Sequence, residues 1–180
     1  MKKLVALEIK DYVASVRLNR PDKYNALSID MFRAIIEAGE AVKADPSIRS
    51  VVLSGEGRGF CAGLDFKSVM ARPARAVAGY ARLWKPTRND FQAWSMAWRE
   101  LPFPVIAAIH GNCFGAGIQL ALGADIRIAA PDARLSVMES RWGLIPDMGG
   151  AALLRELLPI DVAKELVFTG RIVGGDDARA

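Results

Sequence analysis

Cysteine and histidine are scarce in this chain. Among 180 residues the cysteines are Cys61 and Cys113 and the single histidine is His110. Neither cysteine belongs to a CxxC pair, so a disulfide framework and a Cys/His metal site both lack ligands. No GxxxxGKS/T stretch occurs, which excludes a P-loop. Gly115 and Gly117 supply the first half of GxGxxG, but Leu120 stands where the third glycine belongs, which argues against a dinucleotide fold. Uninterrupted apolar runs of membrane length are missing too. The longest candidate, Phe103 to Ala129, is broken by His110, Asn112, Gln119, Asp125 and Arg127. Lys2 and Lys3 precede only a few apolar residues before Glu8, too few for a signal-peptide core, so a cytoplasmic location is expected. There are no internal repeats and no low-complexity tracts.

Charge of one sign is not concentrated either. Twenty-four Lys and Arg against 20 Asp and Glu leave a formal +4, with both signs interspersed, which speaks against nucleic acid and suits a phosphorylated small molecule. The one basic concentration, Arg72, Arg75, Arg82, Lys85 and Arg88, reads as a solvated helix face. A hydrophobic content of 52% supplies one real core, and residues 1–180 read as a single domain.

What is present centres on Phe103 to Ala129. Pro104 to Ile109 is a short apolar, partly β-branched run, suited to a strand buried on both faces. Gly111, Gly115 and Gly117 then punctuate a turn, and a helix opens near Ala116. Its first N–H groups lack intrahelical partners and can hold an anion or a developing oxyanion. The plainer reading is that small residues let this helix pack tightly on the sheet. Upstream, Leu4 to Ile9 and Val13 to Leu18 alternate and predict a hairpin turning at Lys10-Asp11. Ser28 is an N-cap candidate for a helix stopped by Asp45-Pro46, and Ile48 to Leu53 is the next strand, so a parallel crossover follows. Gly55 to Phe66 is a second glycine-rich turn leading to a helix near Asp65. Met70 to Asn89 has no firm period and reads as a loop over a pocket or a surface insertion. Asp90 to Glu100 is helical, Asp125 to Ala129 a short strand, Gly149-Gly150 opens a helix through Leu158, and Asp161 to Thr169 is another that ends at Gly170. Glu139 and Asp147 stand in an apolar, turn-rich segment, where carboxyl pKa values rise.

Four stretches in order, NRPDKYNALS, GRGFCAGLD, HGNCFGAGIQLALGADIRIA and MESRWGLIPDMGG, resemble the crotonase superfamily, the enoyl-CoA hydratase and isomerase family, over essentially the whole chain. The resemblance implies an α/β fold, the crotonase-like ββα spiral, here without the family's C-terminal helices, because family chains continue well beyond GRIVGGDDARA. It implies a homo-oligomer, trimer or hexamer, for the full-length form. The ligand is an acyl-CoA, with coenzyme A entering as part of the substrate and no other cofactor or metal. The oxyanion hole falls on the backbone N–H groups of Ala62 and Ala116. Ala62, Gly63, Leu64 and Asp65 line the acyl thioester, and Lys23 to Ala26 lie near the CoA moiety, although Lys23 equally fits a solvated loop.

Hydratases of this family hold water between two glutamates. Glu139 matches the later one, while Gln119 occupies the place of the earlier, and an amide cannot exchange a proton at neutral pH. Double-bond isomerisation, which Glu139 can perform alone, is therefore the first reading and hydration the second. Asp147 coincides with an acidic position of dienoyl-CoA isomerases, or simply caps the helix after Gly149. His110 reads as a structural hydrogen-bonder. The Gln119 departure and the short C-terminus also fit a CoA-binding scaffold without turnover.

Overall fold

The computed structural model describes residues 3–71 and 89–179; the basic concentration between Arg72 and Arg88, and nearly all of the segment read as a loop or insertion, lie outside them. The chain opens with β1 (Val5–Lys10) and β2 (Val13–Leu18), an antiparallel hairpin whose Lys10↔Val13 pairing leaves two loop residues. These are Asp11 and Tyr12, at φ 50° and 65°, the two left-handed residues that match strand twist in a tight hairpin. The turn thus falls one residue later than expected.

Ser28 caps α1 (Ile29–Ala44), its hydroxyl accepting the Met31 N–H at 3.2 Å. Met31, Ile35, Ala38, Gly39 and Val42 form the buried stripe of that helix, with the three-to-four spacing of an amphipathic helix on a sheet. After Asp45 the chain runs into β3 (Ser50–Gly55), which lies parallel to β2, and then continues through a glycine-rich turn to α2 (Phe66–Met70). The helix α3 (Ala93–Arg99) precedes β4 (Val105–Ile109), parallel to β3. A three-residue strand β5 (Asn112–Phe114), the helix α4 (Ala116–Leu122), and β6 (Ile126–Ala129) follow. The main sheet has the order β1-β2-β3-β4-β6.

A small second sheet joins β5 to β7 (Arg134–Ser136) and β8 (Val173–Gly174). None of its strands was expected from the sequence, since two or three residues are too few to show a period. Between β7 and β8 run α5 (Gly150–Leu157) and α6 (Ile160–Thr169), the latter closed by left-handed Gly170.

Leu18, Val51, Leu53, Val105 and Ala107 of the main sheet are buried together with Met31 and Ile35 of α1 and with Trp94 and Trp98 of α3. Each such aliphatic side chain contributes about 1.5–3 kcal/mol by leaving water. The consequence for function is positional: β3 and β4 are parallel neighbours, so the segments that follow them leave the main sheet at the same end. Among the described residues no helix is long and apolar enough to cross a membrane.

Candidate active site

Two glycine turns face each other. The turn after β3 is tied to β5, with the Cys61 N–H donating to the Asn112 carbonyl at 3.0 Å and the Phe114 N–H donating to the Cys61 carbonyl at 2.9 Å. Gly63 sits at φ 92° with only 3.0 Å between a would-be Cβ and the Phe114 carbonyl oxygen, and a Cβ on Gly115, at φ 52°, would lie 3.9 Å from Gly63 Cα. Any side chain at Gly63 would push the two turns apart, so glycine is required there by both backbone angle and space.

This contact decides which amides are free. The Ala62 N–H donates to the Tyr24 carbonyl at 2.9 Å, so it is not an oxyanion donor, and the expectation that placed it there is corrected. The Leu27 N–H donates to the Gly63 carbonyl at 2.7 Å and the Asp65 N–H to the Leu27 carbonyl at 2.9 Å. That parallel bridge between Leu27 and Leu64 turns the Leu64 N–H to the opposite edge of the strand. Among the described residues, neither the Leu64 N–H nor the Ala116 N–H has a hydrogen-bond partner. Both residues line one cavity of about 990 Å³. The Ala116 N–H is the first of α4 and has no intrahelical acceptor available. Sequence reasoning did not single out the free Leu64 amide, although it named the residue as a thioester contact, because the partner that occupies Ala62 lies 38 residues away on the Tyr24 loop.

The same cavity is lined by Ala62, Gly63, Gln119, Glu139 and Asp147, but not by Lys23, Ala26 or Asp65. Asp65 is a structural residue: its carboxylate accepts the Ser68 N–H at 3.0 Å as the cap of α2 and pairs with Arg20 at 2.8 Å. Arg20 bonds the Ala26 carbonyl at 3.0 Å with the same Nη1. The expected thioester contact of Asp65 is therefore replaced by a brace on the loop. Lys23 is exposed at the end of a short 3-10 turn, Pro21–Lys23.

Glu139 begins the 3-10 turn Glu139–Trp142 and is 8% exposed. Its Oε1 accepts the Gln119 Nε2–H at 2.6 Å, and its Oε2 is buried with no partner among the described residues. Gln119, 1% exposed, has its own carbonyl oxygen engaged by the Gly150 N–H at 3.0 Å. Since an N–H can only donate, this bond fixes the amide with Oε1 toward Gly150 and Nε2 toward Glu139. Burial pushes the Glu139 carboxyl above the ordinary glutamate value of 4.5; the Gln119 bond opposes that push and the charge of Asp147 adds to it.

Asp147 lines the cavity while staying accessible to water, and partial desolvation by the cavity walls raises its carboxyl as well. It does not cap α5. The N-cap there is Gly149, without a side-chain bond, so the capping alternative is removed. The Cys61 thiol is pushed up to about 12 by burial, which leaves it inert as a nucleophile. His110 Nε2 donates to the Gly57 carbonyl at 2.9 Å, the structural bond expected of it.

Paired free amides opposite a buried carboxylate suit chemistry that places negative charge on a carbonyl oxygen. A family model described as enoyl-CoA hydratase/isomerase matches residues 8–180. The chain belongs to the enoyl-CoA hydratase/isomerase family. It is 34% identical over 173 residues to the enoyl-CoA hydratase EchA19 of Mycobacterium tuberculosis, covering 96% of this chain and 64% of that one. It is also 34% identical to the mitochondrial Delta(3,5)-Delta(2,4)-dienoyl-CoA isomerase of Rattus norvegicus, covering 93% of this chain and 53% of the other. The crystal structure of an enoyl-CoA hydratase from Mycobacterium smegmatis superposes with a TM-score of 0.86 at 35% identity, covering 99% of this chain and 67% of that one. The fold is thus the crotonase one, and the chain spans about half to two thirds of the length of these relatives.

Proposed function

We propose that this site moves a carbon–carbon double bond in an acyl-CoA thioester. Glu139 is the base, and the Leu64 and Ala116 N–H groups hold the thioester oxygen. The observation that carries the reading is the direct Gln119–Glu139 bond of 2.6 Å. A hydratase of the two-glutamate kind needs a water between two proton-exchanging groups. Here the two side chains touch, and one of them is an amide whose polarity Gly150 has fixed.

The steps balance within the site. The unpartnered Oε2 of Glu139 takes a proton from the carbon next to the thioester carbonyl of a 3-enoyl chain. The C–H electron pair becomes the new double bond toward the carbonyl carbon, and the negative charge moves to the thioester oxygen, where the two N–H groups meet it. One such donor is worth about 3 kcal/mol of transition-state stabilisation. The proton on Glu139 then returns to the carbon at the far end of the dienolate, giving the conjugated 2-enoyl thioester and regenerating the carboxylate. Asp147, on the same cavity and with its own raised pKa, supports a dienoyl version in which two acids divide the proton transfers. Lys23 and Ala26, outside the cavity, remain with the CoA moiety in this reading.

Incubation with a 3-enoyl-CoA and, separately, a 2-enoyl-CoA tests the proposal, with products separated chromatographically. The 3-enoyl thioester is expected to become the 2-enoyl isomer with little hydroxyacyl product. Faster formation of hydroxyacyl-CoA from the 2-enoyl substrate would overturn it in favour of hydration.

A further inference from the structure

Two sets of aromatic rings flank the cavity beyond the reacting groups. Trp94 lies buried beside the oxyanion turn and donates its Nε1–H to the Ala116 carbonyl at 2.7 Å. Phe32 of α1 stacks on Trp94 at 6.1 Å and 15°, and Phe91 meets Phe32 at 5.4 Å and 37°. Phe32 and Phe91 both line the cavity, and Trp94 packs behind Phe32 without lining it. A second pair, Phe66 and Trp142, both lining the cavity, meets at 4.9 Å and 33°. Phe66 follows Leu64 by two residues and Trp142 closes the turn that Glu139 opens. This second pair therefore links the segment carrying the oxyanion donor to the segment carrying the base. Trp142 is 61% exposed although it lines the cavity.

The apolar stretch has a definite length. Along α1 the lining passes from Ile29, Phe32 and Ile36, with the cationic Arg33 among them, to the carboxylates Glu37 and Glu40. Ile29 to Ile36 spans about 10 Å at a rise of about 1.5 Å per residue. A long alkyl chain would bring its end against those carboxylates, at a cost in their hydration. A short acyl unit ended by one ring stops before Glu37 and Glu40 and lies among the rings of Phe32, Phe91, Phe66 and Trp142 that line the cavity. Tilted pairs such as these extend readily to a third ring in edge-to-face contact.

We propose that the acyl group this site takes carries an aromatic ring. The inference rests on the reading of the site as an acyl-CoA site and adds the class of acyl group. Rings so placed favour an aryl group over an alkyl group of equal carbon number, because the aromatic contacts add to the area buried by either.

Calorimetry on the chain with 3-phenylpropanoyl-CoA and nonanoyl-CoA, matched in carbon number, reads this directly. The aryl thioester is expected to bind about tenfold more tightly, the scale of one or two good ring contacts. Phe66→Leu and Trp142→Leu should each narrow that ratio. Equal or tighter binding of nonanoyl-CoA overturns the inference whatever the variants do, and so does a ratio unchanged in variants that fold. Failure of both thioesters to bind would instead reject the acyl-CoA reading. Binding with the expected ratio but no double-bond migration from any 3-enoyl-CoA would reject the proposed reaction and leave the acyl class standing.

Discussion

Gln119 Oε1 accepts the Gly150 N–H at 3.0 Å, and that bond decides which end of the amide Glu139 meets. A Cβ on Gly150 would fall 2.7 Å from Gln119 Oε1 and 2.8 Å from its Cγ, closer than real Cβ contacts come. Gly150→Ala should displace Gln119, free Glu139 to reorient, and lower kcat by about a hundredfold, since general-base efficiency depends on placement. Circular dichroism would establish that the variant is folded before turnover is measured.

Glu139→Gln should abolish double-bond migration, by at least about a hundredfold. Acyl-CoA affinity should stay nearly unchanged, because the Leu64 and Ala116 donors remain. Asp147→Asn separates the two forms of the reaction: a mild effect fits a single base, and a loss as large as that of Glu139→Gln fits the dienoyl version. Full turnover in Glu139→Gln would remove Glu139 from the mechanism.

Ala116→Pro tests the oxyanion donor. The first position of a helix tolerates proline and loses only the N–H. An unaltered helix with kcat lower by about a hundredfold is expected, in line with about 3 kcal/mol per donor. Retained activity would place the thioester oxygen elsewhere.

Two pH dependences follow from the raised Glu139 carboxyl. For catalysis, the base must be ionised, so the acid limb of kcat/KM should lie above the ordinary glutamate value of 4.5. Gln119→Met removes the bond that holds this pKa down and should move the limb further up. Gln119→Glu would set a second carboxylate against Glu139, so that the pair shares one proton, and should bring hydration of 2-enoyl-CoA with it. For stability, a folded-state pKa above the unfolded one means that the folded chain binds the proton more tightly. Stability should therefore fall as pH rises from about 4.5 through the raised value and then level off. Urea titrations across that window should show a smaller slope for Glu139→Gln; an equal slope would assign the dependence to other groups.

Locally encoded features were legible in the sequence. Ser28 as a cap, the left-handed Gly170, and the glycine turn into α4 all depend on chemistry within a few residues, and they stand where they were expected. The free amide of the first turn lies two residues from the expected one for the opposite reason. Which amide of the Cys61 to Asp65 turn is free depends on the Tyr24 carbonyl and on Leu27, and nothing in the turn itself names those partners. Gln119 was singled out from the sequence, yet the orientation of its amide comes from Gly150, 31 residues away. The aromatic walls gather Phe32, Phe66, Phe91 and Trp142 from four separate segments, which no periodicity reports.

The Tyr24 loop owes its shape to one buried amide. Asn25 accepts the Arg20 N–H at 2.8 Å and donates to the Glu56 and Gly59 carbonyls at 2.9 Å each, while Tyr24 and Asn25 both hold left-handed angles. Tyr24 does not line the cavity, yet it silences the Ala62 amide, so which amide of the turn stays free is decided from outside the cavity. Drift at Phe32 or Phe91 leaves the Leu64 and Glu139 segments alone, whereas Phe66 and Trp142 lie two and three residues from them and drift at Asn25 unsettles the loop that carries the Tyr24 carbonyl. Libraries aimed at the proposed acyl site should therefore hold residues 20–27 constant and randomise Phe32 and Phe91 before Phe66 and Trp142.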